Sequence, residues 1–481
     1  MTRPVILTVF TVALAAACTL GPDFDRPALD VPEAWRDLPV AETESLANTA
    51  WWNLYGDEEL DRLIRIALEE NQDLKIAVER IVEHRARVGY TGADLYPRVD
   101  VSAGGGLVGV SRRGVPELGD DPDRDGDLWG VSADLSWELD IFGRIRRATE
   151  SEEALLLATE AARRATAILL VSDVASTYTR LREADAKLGI SRRTLAQRKE
   201  YVELARRRFE GELTSEVDYR QAQAEQHRIE ALVADLERTV QVLENELSRL
   251  LGRNPGVIAR GRALGSFAEP PAVPAGLPSE LLDRRPDLVA AEQRLHAATA
   301  DVGAAKALLY PRFALTASYG QESNQFADLF EAPSRAWSLL GNVLAPIFNA
   351  GQNQARVEIA ESQMRQELYS YERAVRTAFF EVENALVTYR KTGVQMSAEA
   401  LRVATERQVL TLVADRYTGG VSSYLDVLDA QRSLFDAELE EVTTVASRRI
   451  ALVQLYKALG GGWPTEAEGP SSPAAPAPAK P

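Results

Sequence analysis

The chain has 481 residues and a formal net charge of −17, from 72 acidic against 55 basic side chains. That balance argues against nucleic-acid binding, which needs basic stripes to neutralise phosphate. One cysteine and three isolated histidines argue equally against a disulfide framework, a cysteine-based metal site and a zinc centre.

Residues 1–17 combine Arg3 with the apolar run Val5–Ala17, the pattern of a secretory signal peptide and too short to span a bilayer as a helix. Cys18 follows Leu14-Ala15-Ala16-Ala17. Small residues before a cysteine suit lipoprotein processing, in which Cys18 becomes the lipidated first residue; no cofactor is expected beyond that covalent lipid. Ala15 stands where leucine is preferred, and ordinary cleavage behind an incidental cysteine is the alternative. Thr19 replaces the aspartate that would hold a lipoprotein at the inner membrane. Residues 18–50 read as an extended, proline-bearing arm. No later run reaches 18 apolar residues, so no transmembrane helix is predicted after the signal.

Residues 51–260 form a first structural repeat. Shifting 71–106 by 214 positions lays it on 285–320 with fourteen of 36 pairs identical, including Leu95-Tyr96-Pro97-Arg98 against Leu309-Tyr310-Pro311-Arg312. In both copies a helical pattern gives way to strand. Residues 129–141 place apolar side chains at every odd position and Gly, Ser, Asp or Glu at every even one. Thirteen residues of such alternation suffice for a tilted membrane strand, which needs about 9–11. Trp129 and Trp137 suit an interfacial girdle. Weaker alternation marks 99–110, 313–320 and 337–347, giving a hairpin within 97–141 and another within 311–347. The intervening 114–127 and 321–335 read as solvent loops. Four strands cannot close a barrel, whose minimum is about eight, and open edges are not tolerated in lipid. The chain is therefore expected to oligomerise.

Long helices follow each hairpin. Residues 148–210 contain no proline and would reach roughly 95 Å if unbroken. Ile229, Val233, Leu236, Val240, Leu243, Leu247 and Leu250 alternate spacings of four and three, as do positions from Met364 to Tyr389; both are coiled-coil seams. A second repeat, offset by 208, pairs Arg208 with Arg416, Gly211 with Gly419, Ser215 with Ser423, Asp218 with Asp426 and Gln223 with Gln431. In each copy a glycine is expected to close one helix and a serine to open the next. That gives tip turns near 211–215 and 419–423, expected far from the strands. Residues 261–280 read as a Pro-rich linker, 281–463 as the second structural repeat, and 464–481 as a disordered Pro/Ala tail.

Taken together, Cys18 with Gly21-Pro22-Asp23-Phe24, Trp51-Trp52 with Asp57, Leu60, Leu63 and Ile64, the stretch LLDRRPDLVAAEQRL (281–295) and RYTGGVSSYLDVLDAQRSLF (416–435) resemble the TolC-like outer-membrane factor family in its lipoprotein (NodT-type) subgroup. The resemblance covers about 18–463. It implies a mainly α fold with membrane β: antiparallel coiled-coil helices forming an α-barrel tunnel, and four strands contributed to a twelve-stranded β-barrel by each member of a homotrimer. It further implies a lipid-anchored exit duct in the Gram-negative outer membrane. Small molecules such as drugs would pass through it from a periplasmic adaptor and an inner-membrane transporter of the RND type. Asp426 and Asp429 match aspartates that ring the closed entrance, and spacing i, i+3 puts both on one helix face. Asp218 and Tyr417 match a link between neighbouring helices that holds the entrance shut. Gly211, Ser215, Gly419, Gly420 and Ser423 fall in the adaptor-contact turns. A family arginine near the second tip is here Ser422.

Helix capping is the competing explanation for two of these acids. Ser215-x-x-Asp218 and Ser423-x-x-Asp426 have capping-box spacing, and a negative charge at a helix start is stabilised anyway. Asp429 lies beyond the first turn. Gly104-Gly105-Gly106-x-x-Gly109 fits a dinucleotide motif but lacks the helix that such a site needs. Arg206-Arg207-Arg208 reads as a solvated helix face. No nucleophile elbow appears, so an enzyme is not expected. A type I protein-secretion duct and a periplasmic scaffold lipoprotein are the remaining alternatives.

Overall fold

A computed structural model describes residues 19–32, 34–36, 52, 56–109, 125–266 and 278–461. The signal, Cys18, Trp51, most of 33–55, the 110–124 segment, the heart of the linker and the tail lie outside the described residues. The elements are α1 (Glu58–Glu70), α2 (Gln72–Ala93), β1 (Arg98–Gly109), β2 (Asp125–Leu139), α3 (Arg144–Glu210), α4 (Glu216–Leu250), the one-turn α5 (Leu281–Arg284), α6 (Pro286–Ala307), β3 (Arg312–Ser323), β4 (Arg335–Leu344), α7 (Gln352–Thr418) and α8 (Tyr424–Ala458). Helices α3 and α7 have 67 residues each, α4 and α8 35 each, and α2 and α6 22 each. The chain divides into two compact units. One gathers the start of the chain to Ala28 with Arg80–Glu160 and Ala290–Glu372; the other gathers Leu29–Glu79, Ala161–Val289 and Arg373 onward. Each unit therefore draws on both halves of the sequence.

The first unit holds one antiparallel sheet in the order β1-β2-β3-β4. The two expected hairpins are joined by pairing of β2 with β3, from Trp129 opposite Ser323 to Leu139 opposite Phe313. Strand limits differ from the alternation in sequence. β2 begins at Asp125 and β3 runs on to Ser323, both inside segments read as loops, because the neighbouring ladder continues there. β4 stops at Leu344 rather than 347, since Pro346 cannot donate to a ladder. Partners in register share a face. One face carries Val101, Ala133, Tyr319 and Trp337 in line, and the other carries Ser102, Ser132 and Gly320. Among the described residues β1 and β4 each pair on one side only.

In the same unit the chain start lies along the helices as an extended segment. Leu20 N–H donates to the Phe142 carbonyl at 3.3 Å. Arg147 donates to the Leu20 carbonyl at 3.2 Å and to the Asp23 carboxylate at 2.6 Å. Phe24 stacks on His296 at 4.7 Å, and Arg26 pairs with Glu292 at 2.6 Å. Gly21 takes φ +97, and a Cβ on it would stand 2.4 Å from the Gly303 Cα. Two glycines are thus required where the arm crosses α6.

The second unit is organised by α1. Its apolar stripe of Leu60, Leu63, Ile64 and Ala67 is buried against Val171, Val174 and Tyr178 of α3, Leu247 of α4 and Val453 of α8. Full burial of each of Leu60, Leu63 and Ile64 contributes about 1.5–3 kcal/mol. Asp57 caps α1: Oδ1 accepts from the N–H groups of Glu59 and Leu60, and Oδ2 accepts from the Tyr178 hydroxyl and the Arg262 N–H, each at 3.1 Å. Arg285, buried in the LLDRRPDL stretch, donates to the Ala458 carbonyl and pairs with Asp287 and Glu381. It joins the start of α6 to both α7 and the end of α8.

Candidate functional site

The two helix turns of the second unit are built alike. The N–H of Leu213 reaches the Arg208 carbonyl at 2.8 Å, and that of Val421 reaches the Arg416 carbonyl at 2.8 Å, the long bond of a Schellman ending. Gly211 and Gly419 lie just past the last helical residues, Glu210 and Thr418, and neither has a positive φ. The left-handed residue is the next one: Gly420 at φ +72 in the second turn, but Glu212 at φ +56 in the first. Ser215 Oγ then accepts from the Asp218 N–H at 3.4 Å, and Ser423 Oγ from the Asp426 N–H at 3.3 Å. Only the second turn completes a capping box, with Ser423 N–H donating to Asp426 Oδ2 at 2.9 Å.

These contacts separate the expected site residues. Asp426 is exposed, and its carboxylate is engaged by the cap. Asp429 is also exposed on that face, while Val427, Leu428 and Ala430 around it are buried. Within the chain, Tyr417 accepts from Arg208 rather than meeting Asp218, and the guanidinium lies 5.8 Å from the Tyr417 ring. Asp218 acts instead on Tyr424, whose hydroxyl pKa is raised, first by burial and partly by that carboxylate. Tyr424 in turn sits 6.1 Å from the Tyr417 ring and 6.4 Å from Tyr201.

The arginine run is not simply solvated. Arg206 and Arg207 both bind Glu203, and their hydrogen bonds hold that carboxyl down at about 2. Arg208 is the one that reaches across to α7, because it leans inward toward Tyr417. Below the turns lies a polar knot the sequence reading missed. Glu225 is buried and accepts from Arg432 at 2.5 Å and Arg228 at 3.2 Å. Burial alone would raise its pKa, yet the two guanidinium groups win and hold it below the ordinary value. Arg198, buried beside it, donates to Gln431, and burial pushes its pKa down. A signal existed: Ala222, Glu225 and Ile229 continue the α4 seam, so an acid occupies an apolar position.

The polar face of the sheet holds a second cluster. Asp134 accepts from Ser318 at 2.7 Å, Ser132 at 2.8 Å and Ser102 at 3.2 Å, and the hydroxyls of Ser102 and Ser132 lie 2.9 Å apart. On the apolar face Val101, Leu107, Trp337 and Leu339 are all exposed, and Trp137 Nε1 donates to the Leu95 carbonyl at 2.9 Å. Cys18 lies outside the described residues, but Thr19 packs on Gly143, just past the end of β2. Among the described residues no helix is long and apolar enough to cross a membrane, and no group of acid, histidine or cysteine side chains could hold a metal ion.

The sequence profile of the outer membrane efflux protein family matches residues 63–253 and 277–461. The cation efflux system protein CusC of Escherichia coli O6:H1 is 34% identical over 465 residues, covering 96% of this chain and 99% of that one. The solvent efflux pump outer membrane protein SrpC of Pseudomonas putida is 35% identical over 469 residues, with 95% and 98% covered. Among solved structures, the open-state MtrE outer membrane channel of Neisseria gonorrhoeae superposes with a TM-score of 0.83 at 31% identity, over 92% of this chain and 98% of that one.

Proposed function

Because the chain belongs to the outer membrane efflux protein family, we propose that it is the exit duct of a tripartite efflux system, passing small molecules through a barrel that three copies complete. Membership makes it an outer-membrane efflux channel of a Gram-negative bacterium and not an enzyme. It works with an adaptor and an inner-membrane pump.

The observation that carries the finer reading is the sheet. Four strands with an apolar face and two unpaired edges are stable in lipid only when other copies close the cylinder. Three copies give twelve strands, with the apolar face toward lipid and the serine face toward water. The equal helix lengths in the two halves support an internal two-fold repeat, which lets six pseudo-equivalent helix pairs line the tunnel. A lipid on Cys18 fits the docked arm, since Thr19 is held beside the end of β2 and the acyl chains would enter the leaflet there. The turns at Gly211–Ser215 and Gly419–Ser423 would meet the adaptor, and an RND-type pump is the expected transporter.

At the entrance, Asp429 is the better selecting residue, because no partner within the described chain neutralises it. Three copies would present rings of Asp426 and Asp429 that draw cations and repel anions. Purified protein should form cation-preferring pores in planar bilayers. Asp429→Ala should reduce the preference more than Asp426→Ala, which also removes a cap. Unchanged selectivity in both would remove the entrance role, and absence of any pore would remove the duct.

A further inference from the structure

One acid inside the membrane-type sheet is fixed in place yet left electrically uncompensated. Asp134 lies on the even-numbered face of β2, opposite Asp100 of β1 and Ser318 of β3. Three hydroxyls from three strands donate to it. Hydroxyl donors orient a carboxylate and stabilise its charged form, but they cancel none of its charge. Of the basic groups on the same side among the described residues, Arg98 is taken by Asp100 at 2.8 Å, Arg144 by Glu138 at 3.0 Å, and Arg312 stands at the far end of β3, six residues before Ser318. On this face Gly320, opposite Ser132, lies diagonal to Asp134 and adds no side chain beside the carboxylate. An ionised group at membrane depth is costly unless it faces water or a partner, and is functional by default.

We propose that Asp134, held by Ser102, Ser132 and Ser318, is a second selectivity-determining residue, three copies of which form a fixed anionic ring inside the barrel. This rests on the trimeric-barrel reading. A rigid ring at that level favours inorganic cations and protonated amines in transit and disfavours anionic cargo, independently of the helix turns. The serines act as positioning residues, since they hold the carboxylate in one orientation instead of letting it swing to another partner.

The test is the reversal potential of single channels in a planar bilayer under a potassium chloride gradient, using the full chain. Asp134→Asn keeps the shape and most hydrogen bonds but removes the charge. It should lower the potassium-to-chloride permeability ratio by about two-fold or more while leaving open channels. Asp134→Cys treated with an anionic thiol reagent should recover the preference, and a cationic reagent should invert it. Ser318→Cys with the cationic reagent places a positive group beside an intact Asp134 and should lower the ratio even if both Asp134 variants fail to assemble. A ratio unmoved by any of these changes overturns the proposal, as does a shift that both reagents produce alike. If the parent chain forms no channel at all, the duct reading fails; a selective channel indifferent to position 134 defeats only this inference.

Discussion

Asp57 carries four hydrogen bonds on one buried carboxylate: two cap α1, and two tie it to Tyr178 and to the backbone of Arg262. Asp57→Ala should therefore cost about 2–4 kcal/mol, a lost cap plus stranded buried donors, read as a lower melting temperature of the solubilised protein. Glu225 makes a pH-dependent prediction. Its folded pKa lies below the ordinary 4.5, so its stabilisation is complete above that value and is lost as pH falls through the lower folded one. Glu225→Gln should be the less stable chain at neutral pH, and the two melting curves should converge on acidification. Convergence on raising the pH instead would reverse the assignment. Glu212 bears the opposite kind of feature, a left-handed backbone without glycine. Glu212→Gly should be neutral to stabilising, by up to about 1 kcal/mol.

At the scale of elements, the docked arm depends on the contact between Gly21 and Gly303. Gly21→Ala should release it, seen as faster amide exchange at Leu20, whose N–H is bonded to the Phe142 carbonyl in the parent; equal protection in both chains would contradict the docking. Much of this level was legible in the sequence. The alternation at 129–141 located β2, the heptads located the seams of α4 and α7, and the serines of both turns proved to be helix caps. What was hidden depended on distant partners. Nothing local announces that β2 pairs with β3 across more than 170 residues. Likewise Arg285 stood out as a motif, but its role depends on a carbonyl 173 residues away. Tyr417 was singled out with Asp218, whereas the inward lean of Arg208 decides its partner. Arg208→Ala should loosen the joint between α3 and α7, seen as faster amide exchange around both turns.

For the whole molecule, the sheet dictates what the chain cannot do alone. A strand edge in lipid leaves backbone donors and acceptors unsatisfied at several kcal/mol each, and among the described residues β1 and β4 are two such edges. Alternation made the need for partners legible, but not their number, because closure depends on the strand tilt and curvature of the finished cylinder. The two edges lie on opposite sides of one sheet, roughly 14 Å apart at about 4.8 Å per strand, beyond the reach of a disulfide within one copy.

The proposed trimer would give the two exposed ribbons an outer wall with no seam, and disulfide trapping reads that directly. Cysteines placed along β1 and β4 and oxidised in outer membranes, with the parent chain and its lone Cys18 as control, should yield a covalent ladder that stops at three subunits for pairs in register. Only monomers across the whole scan, or a ladder ending at another number, would contradict it.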